Sequence, residues 1–258
     1  MAKSLSFIMQ SFLGDYPGSR SNPEEKFIRA VNSFLELENV DLCELIIVSD
    51  GCEITHKIYH ELFAENDLIK YAYVSKPKFR MYEKNGNKGK MYRGLPRQIG
   101  RELAQGVVTT YFDSDDYLQP KAANILISTW NRALKSGINY NLATTQSWYD
   151  NVDGGENPDG DSNVSCDTSN IIEIPKLKGK WHKRFVEGNM ANTSSWSISH
   201  LSIVSQKWKD VYKEEVGMNE DGAFFWAIHK DQSNHDAHLF SIQEPYYVRC
   251  HYPNKWDY

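Results

Sequence analysis

The stretch that decides the reading is "VTTYFDSDDYLQP", residues 108–120. Five β-formers, Val108 to Phe112, run directly into three carboxylates: Asp113, Asp115 and Asp116. Like charges this close repel one another. A chain that places them at the end of a buried strand needs something nearby to offset that repulsion. Oxygen-rich clusters of this kind suit hard divalent cations, magnesium, manganese or calcium. The simpler reading is an acidic turn in which Asp116 caps the following helix. The segments around it bear on the choice.

Upstream, strand-like and helix-like segments alternate. "LSFIMQ" (5–10) reads as a strand. Residues 23–37 read as a helix, with Asn22 as its N-cap, Pro23 in its first turn and Phe27, Val31 and Phe34 at i, i+4, i+7. "ELIIVSD" (44–50) is a buried strand, followed by a helix near 54–65 and the strand "IKYAYVS" (69–75). A Lys/Gly-rich loop at 76–93 leads to a helix over 95–105 with Leu95, Ile99 and Leu103 on one face. Then come the strand ending at Asp113 and a helix near 120–135. This β-α-β-α-β-α-β order predicts an α/β fold, a mostly parallel Rossmann-like sheet with helices on both faces. In such sheets ligands sit at the carboxyl ends of the strands. Ser11, Asp50 and Asp113 fall at three such ends.

After residue 150 the pattern is less regular. "DNVDGGENPDGDSN" (150–163) reads as an acidic surface loop. A strand near 193–198, helices near 200–212 and 219–230, and a strand near 239–249 follow. The chain has 258 residues and 40% apolar content, which suits one compact domain, 1–258. Its halves divide at about residue 135.

Composition narrows the classes. No apolar run approaches a membrane span, and the N-terminus reads as a first strand, not a signal peptide. Cys43, Cys52, Cys166 and Cys250 lack metal-ligand spacing, so a reducing, cytoplasmic setting is expected. The net charge of -5 is unevenly spread: residues 76–101 hold nine Lys/Arg and one acid, +8 in total. A second basic cluster, "KLKGKWHKR", spans 176–184. Arg93, Arg97 and Arg101 are spaced to share a helix face, where an anion such as a diphosphate would relieve their repulsion. The competing reading is a solvated basic face.

The motifs "IIVSDGC" (46–52), "RGLPRQIGRELAQG" (93–106), "YFDSDD" (111–116) and "NEDGAFFWAI" (219–228) occur in the order and spacing of a known family. The chain resembles GT-A glycosyltransferases of the family 2 type, closely over 5–135 and loosely over 185–251. The resemblance implies a nucleotide-sugar-binding half (1–135) and an acceptor-binding half (136–258). It implies that Asp50 contacts the base or ribose, that Arg97 is the arginine of the helix before the D-x-D, and that Asp113 contacts the sugar-nucleotide. It further implies that Asp115 ligates Mn2+ or Mg2+, joined by the late His251, and that Asp221 is the catalytic base. Ser49 and Cys52 depart from the resemblance: many members of the family carry a second Asp and a Ser there.

The residues themselves add support. Asp221 shares a helical stripe with Phe224, Phe225 and Ile228, and a carboxylate facing an apolar stripe has its pKa raised toward that of a working base. Its place in a first helical turn opposes that shift. Glu220 is the weaker candidate for the base and is assigned to substrate contact. The expected activity is metal-dependent, inverting transfer of a sugar from a nucleotide-diphosphate donor to a hydroxyl. The acceptor could be a glycan, a lipid-linked precursor or a polyanion such as hydroxymethylated DNA. Nucleotidyl transfer fits less well, because the loop after the first strand is poor in glycine. A D-x-D-x-T phosphatase fits less well, because Tyr117 takes the threonine position. The non-enzymatic alternative is an inactive relative that binds carbohydrate or nucleic acid.

Overall fold

A computed structural model describes residues 3–14, 22–75 and 94–137, the strands at 140–145, 149–150, 172–174, 196–199 and 238–242, residue 224, and residues 246–249. Strands β1 (Leu5–Ser11), β2 (Cys43–Asp50), β3 (Ile69–Val74) and β4 (Val108–Tyr111) are parallel, in the order β3-β2-β1-β4. Every residue of β2 is buried, and all but one of β1. Central parallel strands are covered on both faces, so they read as continuous apolar runs. The edge strand β3 is mostly half-exposed.

Side chains alternate across β1. Leu5, Phe7 and Met9 join Leu45 and Ile47 in one core cluster with Phe27, Val31 and Phe34 of α1 (Pro23–Leu35), Ile58 and Tyr59 of α2 (Glu53–Leu62) and Leu126 and Trp130 of α4 (Ala122–Lys135). The ring of Phe34 meets Phe7 edge-on at 5.7 Å. Ser6 and Ile8 face the other way, toward α3 (Gly94–Leu103) and the turn that follows it. Helices therefore cover both faces, as the alternating pattern predicts.

Two local expectations are corrected. Asn22 stands at the N-cap of α1, but its backbone is left-handed (φ 51°) and its side chain makes no capping bond. Asn tolerates that conformation better than most residues, so the position serves the turn and Pro23 opens the helix. Helix α3 does not bury Leu95 and Leu103; both are exposed. It turns Gly94, Pro96, Arg97 and Gly100 inward. The reason is close packing: a Cβ on Gly100 would lie 2.5 Å from Ile8 Cγ2. Only a face of small residues permits that approach.

The second half extends the sheet. Strands β6 (Tyr140–Thr145), β8 (Ile172–Ile174), β9 (Trp196–Ser199) and β10 (His238–Ile242) continue it in the order β4-β9-β6-β10-β8, with β9 antiparallel to both its neighbours. A smaller sheet joins β5 (Tyr117–Leu118), β11 (Tyr247–Arg249) and β7 (Tyr149–Asp150). The single strand expected near 239–249 is thus two, one in each sheet. Tyr246 and Tyr247 are fully packed in the core beside this junction. The helices expected near 200–212 and 219–230 lie outside the described residues, Phe224 apart.

A buried carboxylate fastens α3 to the sheet. Glu44 Oε1 accepts hydrogen bonds from Ser6 Oγ (2.5 Å), Gln105 N (2.6 Å) and Gly106 N (3.2 Å), while Oε2 lies 2.6 Å from Lys70 Nζ. Burial alone would raise the Glu44 pKa; the bonds from Lys70, Ser6 and Gln105, with the charge of Lys70, outweigh it and hold the carboxyl below its ordinary value. A carboxyl with a lowered folded-state pKa stabilises above its unfolded value, and that contribution is lost as pH falls through the folded value. Glu44→Ala is expected to cost about 3 kcal/mol, a fall in thermal midpoint of roughly 6–12 °C. Glu44→Gln is expected to cost less at neutral pH and to lose part of the wild-type acid sensitivity. Urea unfolding from neutral pH down to about pH 3 measures both.

Candidate functional site

Strands β1, β2 and β4 end on one rim. Ser11 pairs with Ser49 in register, so Asp50 ends β2 just beyond the end of β1. β4 pairs with β1 as far as Tyr111, opposite Ile8, and Asp113 follows two residues later. The chain passes from β1 outward to β2 and β3, then returns across the sheet through α3 to β4 on the other side of β1. That reversal opens a crevice between neighbouring strand ends, the usual ligand site of such sheets.

On the β1–β2 side the rim is built by short polar links. Ser11 is fully buried, and its hydroxyl shares a 2.9 Å hydrogen bond with Thr55 of α2. Its side chain is thereby turned toward the helix. Ser49 Oγ donates to Cys52 O (3.0 Å) and accepts from Cys52 N (3.2 Å), closing a turn in which Gly51 is left-handed (φ 62°). Cys52 Sγ accepts a hydrogen bond from Leu13 N at 3.2 Å, tying the segment after β1 to this turn. The two departures from the family pattern, Ser49 and Cys52, are therefore the residues that hold the turn. Asp50, 8% exposed, sits inside it.

On the β4 side, Asp113 to Asp116 form a turn closed by Asp116 N donating to Asp113 O (3.2 Å). Asp116 is buried and α4 begins only at Ala122, with Lys121 at its N-cap, so Asp116 does not cap that helix. Arg97, 3% exposed, comes from α3 and places Nη2 3.8 Å from Asp113 Oδ1. It is a buried cation directed at the turn, not part of a solvated basic face. Arg101, one turn on, lies with its guanidinium carbon 5.7 Å from the centre of the Phe224 ring, which also meets Tyr111 edge-on at 6.5 Å. The stripe on which the sequence places Asp221 thus has one described member, and it docks against α3 and β4. From the opposite face, Arg29 of α1 donates to the backbone carbonyl of Asp115 (3.1 Å) and stacks on Tyr117, 5.0 Å from the ring centre.

The structure therefore brings Asp50, Arg97, Asp113 and Asp115 to one rim. Glu220, Asp221 and His251 lie outside the described residues, as do residues 76–93 and the 176–184 cluster. Among the described residues, no group of three or more His, Cys, Asp or Glu side chains converges as a metal centre. The acidic trio is divided: Asp113 faces Arg97, Asp116 is buried, and Asp115 is half-exposed between them. This donor set does not fit a caged calcium or zinc ion. It fits magnesium or manganese held by one or two carboxylates, with water and phosphate oxygens completing the shell. Sequence reading missed Arg29, which no apolar spacing in α1 marks. It also missed Glu44, although a lone acid in a buried strand was a visible signal. An apolar groove between Leu5, Val108, Leu126 and Trp130 lies at the amino ends of β1 and β4, away from this rim.

Neither family models nor curated proteins match the chain. Solved structures do. Staphylococcus aureus TarS residues 1–349 superposes with a TM-score of 0.58 at 13% identity, covering 96% of this chain and 60% of that one. TarS 1–349 in complex with UDP-GlcNAc gives a TM-score of 0.60 at 12% identity, over 98% and 60%. Longer TarS gives 0.54 at 15% identity, over 96% and 36%. The chain thus spans about three-fifths of the length of the first of these. At such identities the likeness establishes the fold, which is of the Rossmann-like GT-A type.

The role of Cys52 gives a direct check. Cys52→Ser keeps an acceptor for Leu13 N–H and is expected to be nearly neutral. Cys52→Val leaves that buried donor unpaired and is expected to cost about 1–3 kcal/mol, read as a shift of the urea midpoint with unchanged slope.

Proposed function

We propose that this chain is a glycosyltransferase that takes a sugar from a nucleoside-diphosphate donor, a UDP-sugar first among them, and transfers it to a hydroxyl. The observation that carries the reading is the meeting of Asp50, Arg97, Asp113 and Asp115 at one switch-point rim. The fold is the one that, in TarS, has been solved with UDP and UDP-GlcNAc.

In this reading Asp50 receives the base or ribose at the end of β2, and Asp113, held by Arg97, contacts the sugar-nucleotide. Asp115, with His251, would hold Mn2+ or Mg2+. When bound, the cation supplies positive charge against the diphosphate. Buried Arg97 adds a fixed positive charge beside the same turn, where a departing diphosphate develops negative charge. Asp221, three residues before the docked Phe224, accepts the acceptor hydroxyl proton as the new C–O bond forms. The bond from the anomeric carbon to the diphosphate breaks on the opposite side, so the configuration inverts. Glu220 is placed at the acceptor or donor contact. The excess of positive charge in 76–101 supports a polyanionic acceptor, a hydroxymethylated DNA base or a phosphate-bearing glycan or lipid. Affinity for DNA would then fall steeply with salt.

A thermal-shift panel of nucleoside diphosphates and their sugars, with and without manganese, tests the donor. Stabilisation follows mass action, about 2.7 kcal/mol at a hundredfold excess over Kd. A metal-dependent shift is expected, lost in Asp115→Ala. Asp221→Asn is expected to keep the shift and lose transfer by at least about a hundredfold. Parental transfer by Asp221→Asn would remove the base assignment. Donor binding without any release of nucleoside diphosphate, even with acceptor candidates present, would favour a binding module over an enzyme.

A further inference from the structure

We propose that Arg29 is a positioning residue for the Asp115 carboxylate, acting from the opposite face of the sheet to Arg97. The proposal rests on the glycosyltransferase reading and deepens it. Arg29 belongs to α1, 86 residues away in sequence from the turn it holds. Its guanidinium donates to the Asp115 carbonyl oxygen at 3.1 Å and lies over the Tyr117 ring at 5.0 Å. These two contacts grip the chain on either side of Asp116, itself 3% exposed.

A bond to the carbonyl of residue 115 restrains the ψ angle of that residue. Asp116 N, in the same peptide unit as that carbonyl, is bonded to Asp113 O, so the peptide plane that follows the Asp115 Cα is held at both its oxygen and its nitrogen, within a closed turn. The Cα–Cβ direction follows from the backbone, so the carboxylate is aimed without Arg29 touching it. A planar guanidinium suits this double task, since it can donate in its plane while stacking on a ring face. It also sets a positive charge beside the Asp115 backbone, while Arg97 meets Asp113 from the other face. Arg29 thus acts through Asp115.

The test measures nucleoside diphosphate release from a panel of nucleoside-diphosphate sugars, UDP-GlcNAc included, with manganese. Wild type, Arg29→Ala, Arg29→Lys and Tyr117→Leu are compared, each with its thermal midpoint. Arg29→Ala is expected to lower kcat roughly 10- to 100-fold, the scale of an ångström misplacement, with the KM for donor changed less than about threefold. Arg29→Lys is expected to recover part of the rate, and millimolar guanidinium ion to rescue Arg29→Ala but not wild type. Tyr117→Leu, which keeps the hydrogen bond, is expected to lose less. Arg29→Ala with parental kcat overturns the proposal. So does a rate loss that merely tracks loss of folded protein and that neither Lys nor guanidinium restores. Wild type that binds no nucleoside diphosphate in the thermal-shift panel overturns the glycosyltransferase reading, and this proposal with it.

Discussion

A Cβ on Gly100 would stand 2.5 Å from the Ile8 methyl and 3.3 Å from that of Val48, so α3 lies against the sheet at a distance no side chain there would allow. Much of the rim follows from this approach. It sinks Arg97, three residues earlier on the same helix, to 3% exposure and brings its guanidinium to Asp113. Glu44 holds the same helix at its other end, through Gln105 N, Gly106 N and the ammonium of Lys70, which in turn donates to Leu103 O. A close glycine contact and a buried carboxylate held by Ser6, Gln105, Gly106 and Lys70 together fix where one cation meets the turn. Protein interiors transmit small shifts because they are close-packed, so the position of Arg97 depends on both.

The acidic turn is therefore managed by protein charges before any ligand enters. A repulsive trio would need an external cation if all three carboxylates shared one point. They do not share one. Asp113 faces a guanidinium from α3, Asp116 is folded inward, and the Asp115 backbone is held by a second guanidinium from α1. A cation serving a diphosphate needs only one or two carboxylates from the protein. The expected three-acid cluster is thus three differently placed carboxylates in a frame that already holds two guanidinium groups. In metal sites generally, outer partners of this kind orient the ligating groups.

Much of the first half was legible in the sequence because its signals are local. The buried strands carry continuous apolar runs, and α1 carries Phe27, Val31 and Phe34 at helical spacing; these elements match to within two residues. Helix α3 misled because its apolar spacing, Leu95, Ile99 and Leu103, marks an outward-leaning face. Its true contact face is made of glycine, proline and Arg97, which carry no hydrophobic signal. The strand near 239–249 misled for a different reason. A run of β-formers does not show that two sheets divide it. Strands β6, β7 and β8 gave no signal strong enough to separate them from loop, since pairing partners far along the chain decide them.

By itself the sequence determined the alternation of strand and helix, the parallel α/β class, and the presence of Asp50, Asp113 and Asp115 at strand ends. These depend on periodicity and on the order of residues along the chain. Only the tertiary structure decided that Ser11 turns to Thr55, that Ser49 and Cys52 close the β2 turn, and that Arg29 and Arg97 hold the acidic turn from opposite faces. Those contacts join residues up to 86 positions apart. Their distances are set by how closely helices pack on the sheet, a quantity that no local pattern encodes.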